Sequence, residues 1–248
     1  MSKVILVTGG SRGIGRSAAR ISGARGWSVG VNYADNAKAA AETVAEVERA
    51  GGRAIPIRGN VAAEKDVIAM FDATVRAFGP IDGVVNNAGI LGPATTLAEM
   101  SIERMRQIFD VNILGAYLVA REAARRMSRS RGGKGGVIVN LSSAAARLGS
   151  PNEFVDYAGS KGAMDTFTIG LSKELGPEGI RVNAVRPGLI DTEIHAAAGK
   201  PDRAHTMGKL MPLGRAGTAD EVGEAIVWLL DDASSYVSGS ILDVAGGR

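Results

Sequence analysis

Short runs of β-branched and apolar residues alternate along this chain with longer stretches whose apolar residues recur at helical spacing. That alternation constrains the fold more than any other feature. The predicted strands are Val4–Thr8, Ser28–Asn32, Ala54–Arg58, Gly83–Asn86, Val137–Ser142, Arg181–Arg186 and Ser240–Val244. Helical spacing covers Ala37–Ala50, Glu64–Phe78, Ile102–Met127, Asp156–Leu175 and Ala219–Leu230. A strand, a helix and a second strand in sequence make a right-handed crossover, so the sheet is parallel and covered on both faces. Several strands are unbroken apolar runs, such as Val4-Ile5-Leu6-Val7 and Val137-Ile138-Val139, as burial on both faces requires. The expected architecture is an α/β, doubly wound Rossmann fold of about seven parallel strands, with ligand beyond their carboxyl ends. No linker or low-complexity tract interrupts it, so residues 1–248 are expected to form one domain.

Composition narrows the chemistry. The chain has no cysteine, which removes thiolate catalysis, disulfides and cysteine zinc sites. Its two histidines, His195 and His205, stand ten apart in a polar segment and read as solvated loop residues, so no metal site is expected. The net charge of +3 is concentrated between Arg121 and Lys134, where cations complement a helix C-terminus. One basic loop does not make a nucleic-acid surface. The chain enters an apolar strand directly after Lys3, and no apolar run approaches the ~18 residues a membrane span needs. A cytoplasmic protein without signal peptide or membrane partner is therefore expected.

Two short segments carry the chemistry. Thr8-Gly9-Gly10-Ser11-Arg12-Gly13-Ile14-Gly15 joins the first strand to the first helix. Glycines there let the backbone turn tightly and approach a pyrophosphate, whose charge meets the helix N-terminus. Tyr157 and Lys161 lie four apart at the start of a helix and so share one face. A nearby ammonium favours phenolate, which predicts a lowered pKa for Tyr157 and a tyrosine able to exchange protons with an alcohol.

With Gly9, Gly13 and Gly15 spaced as G-x3-G-x-G, Asn86-Asn87-Ala88-Gly89 after the fourth strand, and Tyr157-x3-Lys161, the chain resembles the short-chain dehydrogenase/reductase family in its compact form. Within it, the look is that of bacterial oxidoreductases related to glucose 1-dehydrogenase and 3-oxoacyl-carrier-protein reductase. The resemblance implies Tyr157 as acid/base, with Lys161 lowering its pKa and bonding the nicotinamide ribose. It implies Ser143 as the serine that polarises the substrate carbonyl, while strand alternation turns Ser142 to the other side as a structural residue. Ser143 and Tyr157 are fourteen apart, one more than the family's usual thirteen, and the extra residue falls within Asn152–Asp156. Asn112 matches the family asparagine that kinks its helix and anchors a water leading to Lys161. Asn87, Ala88 and Gly89 are expected along the cofactor, as are Pro187, Gly188, Ile190 and Thr192 after the sixth strand.

Cofactor choice is a question of charge. An NAD site places a carboxylate at the end of the second strand, where this chain has Asn32 and Tyr33. Arg12 stands in the glycine loop, so NADP(H) is the expected cofactor, with NAD(H) possible. Asn60-Val61 replaces the family's Asp-Val beside the adenine. The predicted reaction is hydride transfer between a carbonyl and a secondary alcohol. A cofactor-binding regulator without catalysis is the alternative, and it usually shows damage at the tyrosine or lysine. Enoyl reduction is disfavoured because those relatives space the pair more widely. Residues 193–211 are expected to form a mobile substrate lid, and the resemblance alone implies a homotetramer.

Overall fold

In the computed structural model, which describes residues 2–248 apart from the side chains of His195 and Ala197, each strand feeds two cores at once. Successive strand residues point to opposite faces. In β1 (Val4–Val7), Ile5 and Val7 pack with α1 (Gly13–Ala24) and α10 (Ala219–Leu230), while Val4 and Leu6 pack with α3 (Glu64–Phe78) and α5 (Ala116–Met127). β5 (Gly136–Leu141) repeats the division, sending Val137, Val139 and Leu141 one way and Ile138 the other. This is why the strands read as unbroken apolar runs.

The remaining sheet strands are β2 (Ser28–Tyr33), β3 (Arg53–Arg58), β4 (Gly83–Asn86), β6 (Ile180–Pro187) and β9 (Ile241–Val244). The seven pair in parallel in the order β3-β2-β1-β4-β5-β6-β9. Chain direction across the sheet reverses between β1 and β4, which opens a crevice beyond their carboxyl ends. α2 (Ala37–Arg49) joins α1 on one face, and α7 (Val155–Leu175) joins α3 and α5 on the other. A parallel pair, β7 (Ile190–Asp191) with β8 (Gly217–Thr218), lies outside the sheet. This is the expected doubly wound fold.

Two expectations change. The stretch Ile102–Met127 is not one regular helix: α4 (Ile102–Phe109) and α5 are joined by a π turn over Asp110–Gly115. Such a turn admits one extra residue and typically serves a side chain that must leave the helix at a set place. The predicted lid contains two short helices, α8 (Ile194–Ala197) and α9 (Arg203–Gly208), separated by Gly199 at φ +77°. His205 is exposed on α9 instead of in a loop. The His195 side chain lies outside the described residues.

Candidate active site

The crevice at the β1–β4 junction is a cleft of about 920 Å³ running from Asn36 and Arg58 at one end to Tyr157, Phe154 and Ile194 at the other. The glycine loop forms its floor. Gly9 sits at φ +61°, and a Cβ there would come 3.0 Å from the Ala88 Cα. A Cβ on Gly15 would come 2.4 Å from the Gly9 carbonyl oxygen. The loop therefore folds back on itself at a distance no side chain permits. Gly9, Ser11, Arg12, Gly13 and Ile14 border the cleft, whereas Gly15 is buried beneath and shapes the loop from behind.

Thr8, which sequence reasoning left without a role, locks this loop to the next. Its hydroxyl accepts from the backbone N–H groups of Asn87 and Ala88, each at 3.0 Å. Asn87 Nδ2 returns to the carbonyls of Thr8 at 2.8 Å and Gly9 at 3.1 Å. Asn86 acts inside the sheet, donating to Asn140 Oδ1 at 3.1 Å and the Ala116 carbonyl at 2.9 Å. The buried partners make Asn87, Ala88 and Gly89 a fixed wall of the cleft.

At the far end of that wall, Asn32 uses its amide on the backbone. Oδ1 accepts from Gly9 N at 3.1 Å, and Nδ2 donates to the carbonyls of Gly59 at 3.0 Å and Ile57 at 3.3 Å. It borders the cleft as a brace, with Tyr33 half-buried beside it. Asn60 Oδ1 accepts from Ala62 N at 3.0 Å, and its own N–H donates to Asp66 at 2.9 Å. Val61 and Asn60 both reach the cleft. Arg58 was missed in the sequence because its register opposite Tyr33 exists only in the sheet. Its Nε donates to the Ala34 carbonyl at 3.3 Å, and it borders the cleft without a carboxylate partner among the described residues.

The other end of the cleft is assembled on α7. Ser143 follows β5, its Oγ accepts from Ala145 N at 3.2 Å, and its hydroxyl lies near enough to the Tyr157 phenol to favour the phenolate. Both border the cleft, as do Lys161, Pro187, Gly188, Ile190 and Thr192. Ser142 also borders the cleft, and its hydroxyl donates to the Lys161 carbonyl at 3.2 Å. Lys161 lies behind the tyrosine, with Nζ 5.6 Å from the phenol ring centroid and 2.7 Å from the Leu141 carbonyl it bonds.

The electrostatics correct one expectation. Desolvation pushes the Tyr157 phenol above its ordinary value, and the neighbouring Ser143 hydroxyl opposes that shift in part. A lowered value, expected from Lys161 alone, is not found. Burial also brings Lys161 down to about 8, with the Asp165 carboxylate opposing. Both groups lose water as they enter the protein, and desolvation disfavours whichever form is charged.

Asn112 does not border the cleft. The π turn delivers its amide to the loop after β4, where Oδ1 accepts from Ile90 N at 2.8 Å and Nδ2 donates to the Ile90 carbonyl at 3.0 Å. Nδ2 also reaches Ser160 Oγ at 3.2 Å. A Cβ at Gly89 would lie 3.4 Å from Asn112 Oδ1 and 3.5 Å from Lys161 Nζ, so both polar atoms face one small gap.

Three ion pairs outside the expected set, two of them sharing Glu153, hold this end in place. Arg104 grips Asp156 with Nε at 2.8 Å and Nη2 at 3.2 Å, and Asp156 Oδ1 accepts from Tyr157 N at 2.8 Å. Glu153 binds Arg203 and Lys200 of the lid. Hydrogen bonds from Arg203, and then from Lys200, hold its carboxyl at about 2 against the opposing effect of burial. A depressed carboxylate contributes fully above its unfolded value of 4.5 and loses that contribution only as pH falls toward 2. The clasp is therefore ionised throughout the neutral range.

Among known proteins, residues 9–248 match a family model described as enoyl-(acyl carrier protein) reductase. The oxidoreductase YgfF of Escherichia coli K12 is 49% identical, covering 99% of both chains. Glucose 1-dehydrogenase 2 of Bacillus subtilis is 35% identical over 99% of this chain and 94% of that protein, in keeping with the expected likeness to such enzymes. A short-chain dehydrogenase/reductase of Mycobacterium marinum superposes with a TM-score of 0.91 at 34% identity, covering 99% of this chain and 94% of the other.

Proposed function

The chain belongs to the short-chain dehydrogenase/reductase family, NAD(P)-dependent oxidoreductases that act on CH–OH groups, and from that premise we propose that it interconverts a ketone and a secondary alcohol with NADP(H), using Tyr157 as acid/base. The observation that carries this reading is the meeting of Ser143, Tyr157 and Lys161 on one cleft wall, with the buried Lys161 Nζ 5.6 Å from the phenol ring centroid. The glycine cradle and a 920 Å³ cleft suit a dinucleotide. When bound, a nicotinamide cofactor supplies or accepts the hydride. Ser143 steadies the substrate oxygen as charge develops on it. Tyr157, half-buried on the cleft wall and kept protonated at neutral pH by desolvation, gives that oxygen a proton. Lys161 holds positive charge beside the phenol, and the gap it shares with Asn112 is the proposed proton route.

The preference for NADP(H) rests on charge at the adenosine end. No carboxylate stands at Asn32, Tyr33 or Ala34, and Arg12 and Arg58 are exposed on the cleft. Asp66 is occupied by Asn60 N, and Asp35 lies two residues beyond Tyr33. The expected kcat/KM ratio favours NADP(H) over NAD(H) by about tenfold or more, a difference of ~1.4 kcal/mol. A tenfold preference for NAD(H) would overturn the assignment. The family model's description raises enoyl reduction as a second reading. Tyr157 and Lys161 on successive turns of α7 support the carbonyl reaction instead, and an enoyl thioester offered with NADPH decides between them.

The reading also includes a homotetramer of one-domain subunits. Phe109, Leu114 and Tyr117 on the α4–α5 stretch and Ile169 on α7 are each more than 40% exposed. Trp228, Tyr236 and the open edge of β9 make a second apolar region. Apolar side chains and an unpaired strand edge favour coverage by another copy. Sedimentation equilibrium is expected to give four subunits, and a monomer at micromolar concentration would remove this proposal.

A further inference from the structure

The loop before α7, where this chain runs one residue longer than the family pattern, has an unusual backbone. Ser150 and Asn152 both adopt left-handed φ angles, +45° and +62°. Each costs of order 1 kcal/mol for a residue with a side chain, so surrounding contacts must hold them. Those contacts are made directly after the turn. The Glu153 carbonyl accepts from Thr95 N at 3.1 Å, and its carboxylate crosses to the lid. Oε1 and Oε2 accept from Nη1 and Nη2 of Arg203 at 2.9 and 2.7 Å, and Lys200 bonds the same carboxylate. The Phe154 ring lies against both cations, 5.6 Å from Arg203 Cζ and 6.0 Å from Lys200 Nζ.

This clasp sets the character of the substrate end. Leu91, Leu148, Phe154 and Ile194 line it, and Arg203 is the clasp cation that borders the cleft. The Arg203 side chain is 15% exposed, whereas that of Lys200 is 39% exposed and carries the surplus charge of the trio into solvent. A guanidinium fork recognises a carboxylate or phosphate through its paired Nη groups. Here the paired Nη groups of Arg203 are already bound to Glu153, whose negative charge offsets that of the guanidinium. An anion entering there would meet apolar side chains and an arginine whose charge and Nη pair are committed to Glu153.

We infer that Glu153 is a specificity-determining residue, which by committing Arg203 to itself fits the substrate end to an uncharged, largely apolar ketone or its secondary alcohol and excludes anionic carbonyl compounds. This rests on the cleft being a carbonyl-reducing site. The test compares 4-methylcyclohexanone with 4-oxocyclohexanecarboxylate, matched rings that differ in charge, using the full-length enzyme and NADPH. Wild type is expected to favour the neutral ketone in kcat/KM by about tenfold or more. Glu153→Gln frees the Arg203 fork and is expected to lower that ratio about tenfold, through a gain with the carboxylate. The double variant Glu153→Gln/Arg203→Gln, with no fork to free, is expected to return the ratio toward wild type.

An unchanged ratio in a folded Glu153→Gln enzyme overturns the inference while leaving carbonyl reduction intact. Wild-type preference for the keto acid also overturns it without any variant, and would point to Arg248, the other cation bordering that end. Failure of wild type to reduce any ketone in a broad panel would instead defeat the proposed reaction itself.

Discussion

Tyr157→Phe is expected to lower kcat for ketone reduction by about 10³-fold, within the 10²–10⁴ range of a positioned acid or base. The phenol borders the cleft beside Ser143, so the substitution removes the proton donor and leaves the serine in place. It alters none of the glycine-loop contacts, and NADPH affinity by fluorescence titration is expected to stay within a few-fold of wild type. Because burial raises the phenol's pKa, the group is protonated across the neutral range and is suited first to giving a proton. In the oxidation direction phenolate is needed, and the chain's own support for it is the Lys161 ammonium, 5.6 Å from the ring centroid. Turnover by Tyr157→Phe within tenfold of wild type would remove the mechanism.

Asp156→Ala is expected to destabilise the protein by about 3–5 kcal/mol, the usual consequence of removing one partner from a buried ion pair. The Asp156 side chain is 2% exposed and that of Arg104 is 13% exposed. The substitution strands the guanidinium and also removes the acceptor for Tyr157 N at the first turn of α7. Stability by urea denaturation and turnover should fall together, since that turn carries the tyrosine. The companion Arg104→Ala/Asp156→Ala protein is expected to recover part of the loss, because no charge is then left buried alone. A loss below about 1 kcal/mol in Asp156→Ala would show that water or another group compensates Arg104.

Much of the site was readable before any coordinates. The strand runs, Glu64–Phe78 as a helix, the glycine loop, and the turn-to-turn placement of Tyr157 and Lys161 are local features, governed by side-chain period and backbone freedom. Strand alternation distinguishes Ser142 from Ser143, whose hydroxyls take different partners, the Lys161 carbonyl and Ala145 N. The π turn was not readable, because Ile102–Met127 keeps helical apolar spacing through it. What it serves, the Asn112 contact with Ile90, spans 22 residues. Arg58 escaped notice for a similar reason: it meets the β2–α2 turn only through sheet register.

The sequence by itself determined a parallel α/β sheet, a tight glycine-rich loop at its first turn, and a tyrosine–lysine pair on one helical face. Each depends on neighbours within a few residues. The tertiary structure alone decided how those groups behave. Desolvation, which requires the whole fold, raises Tyr157 where a nearby lysine would have lowered it. Glu153 becomes a clasp only because residues 47 and 50 positions further on fold back over it. Water exclusion and long-range charge pairing belong to the packed chain, and no local pattern carries them.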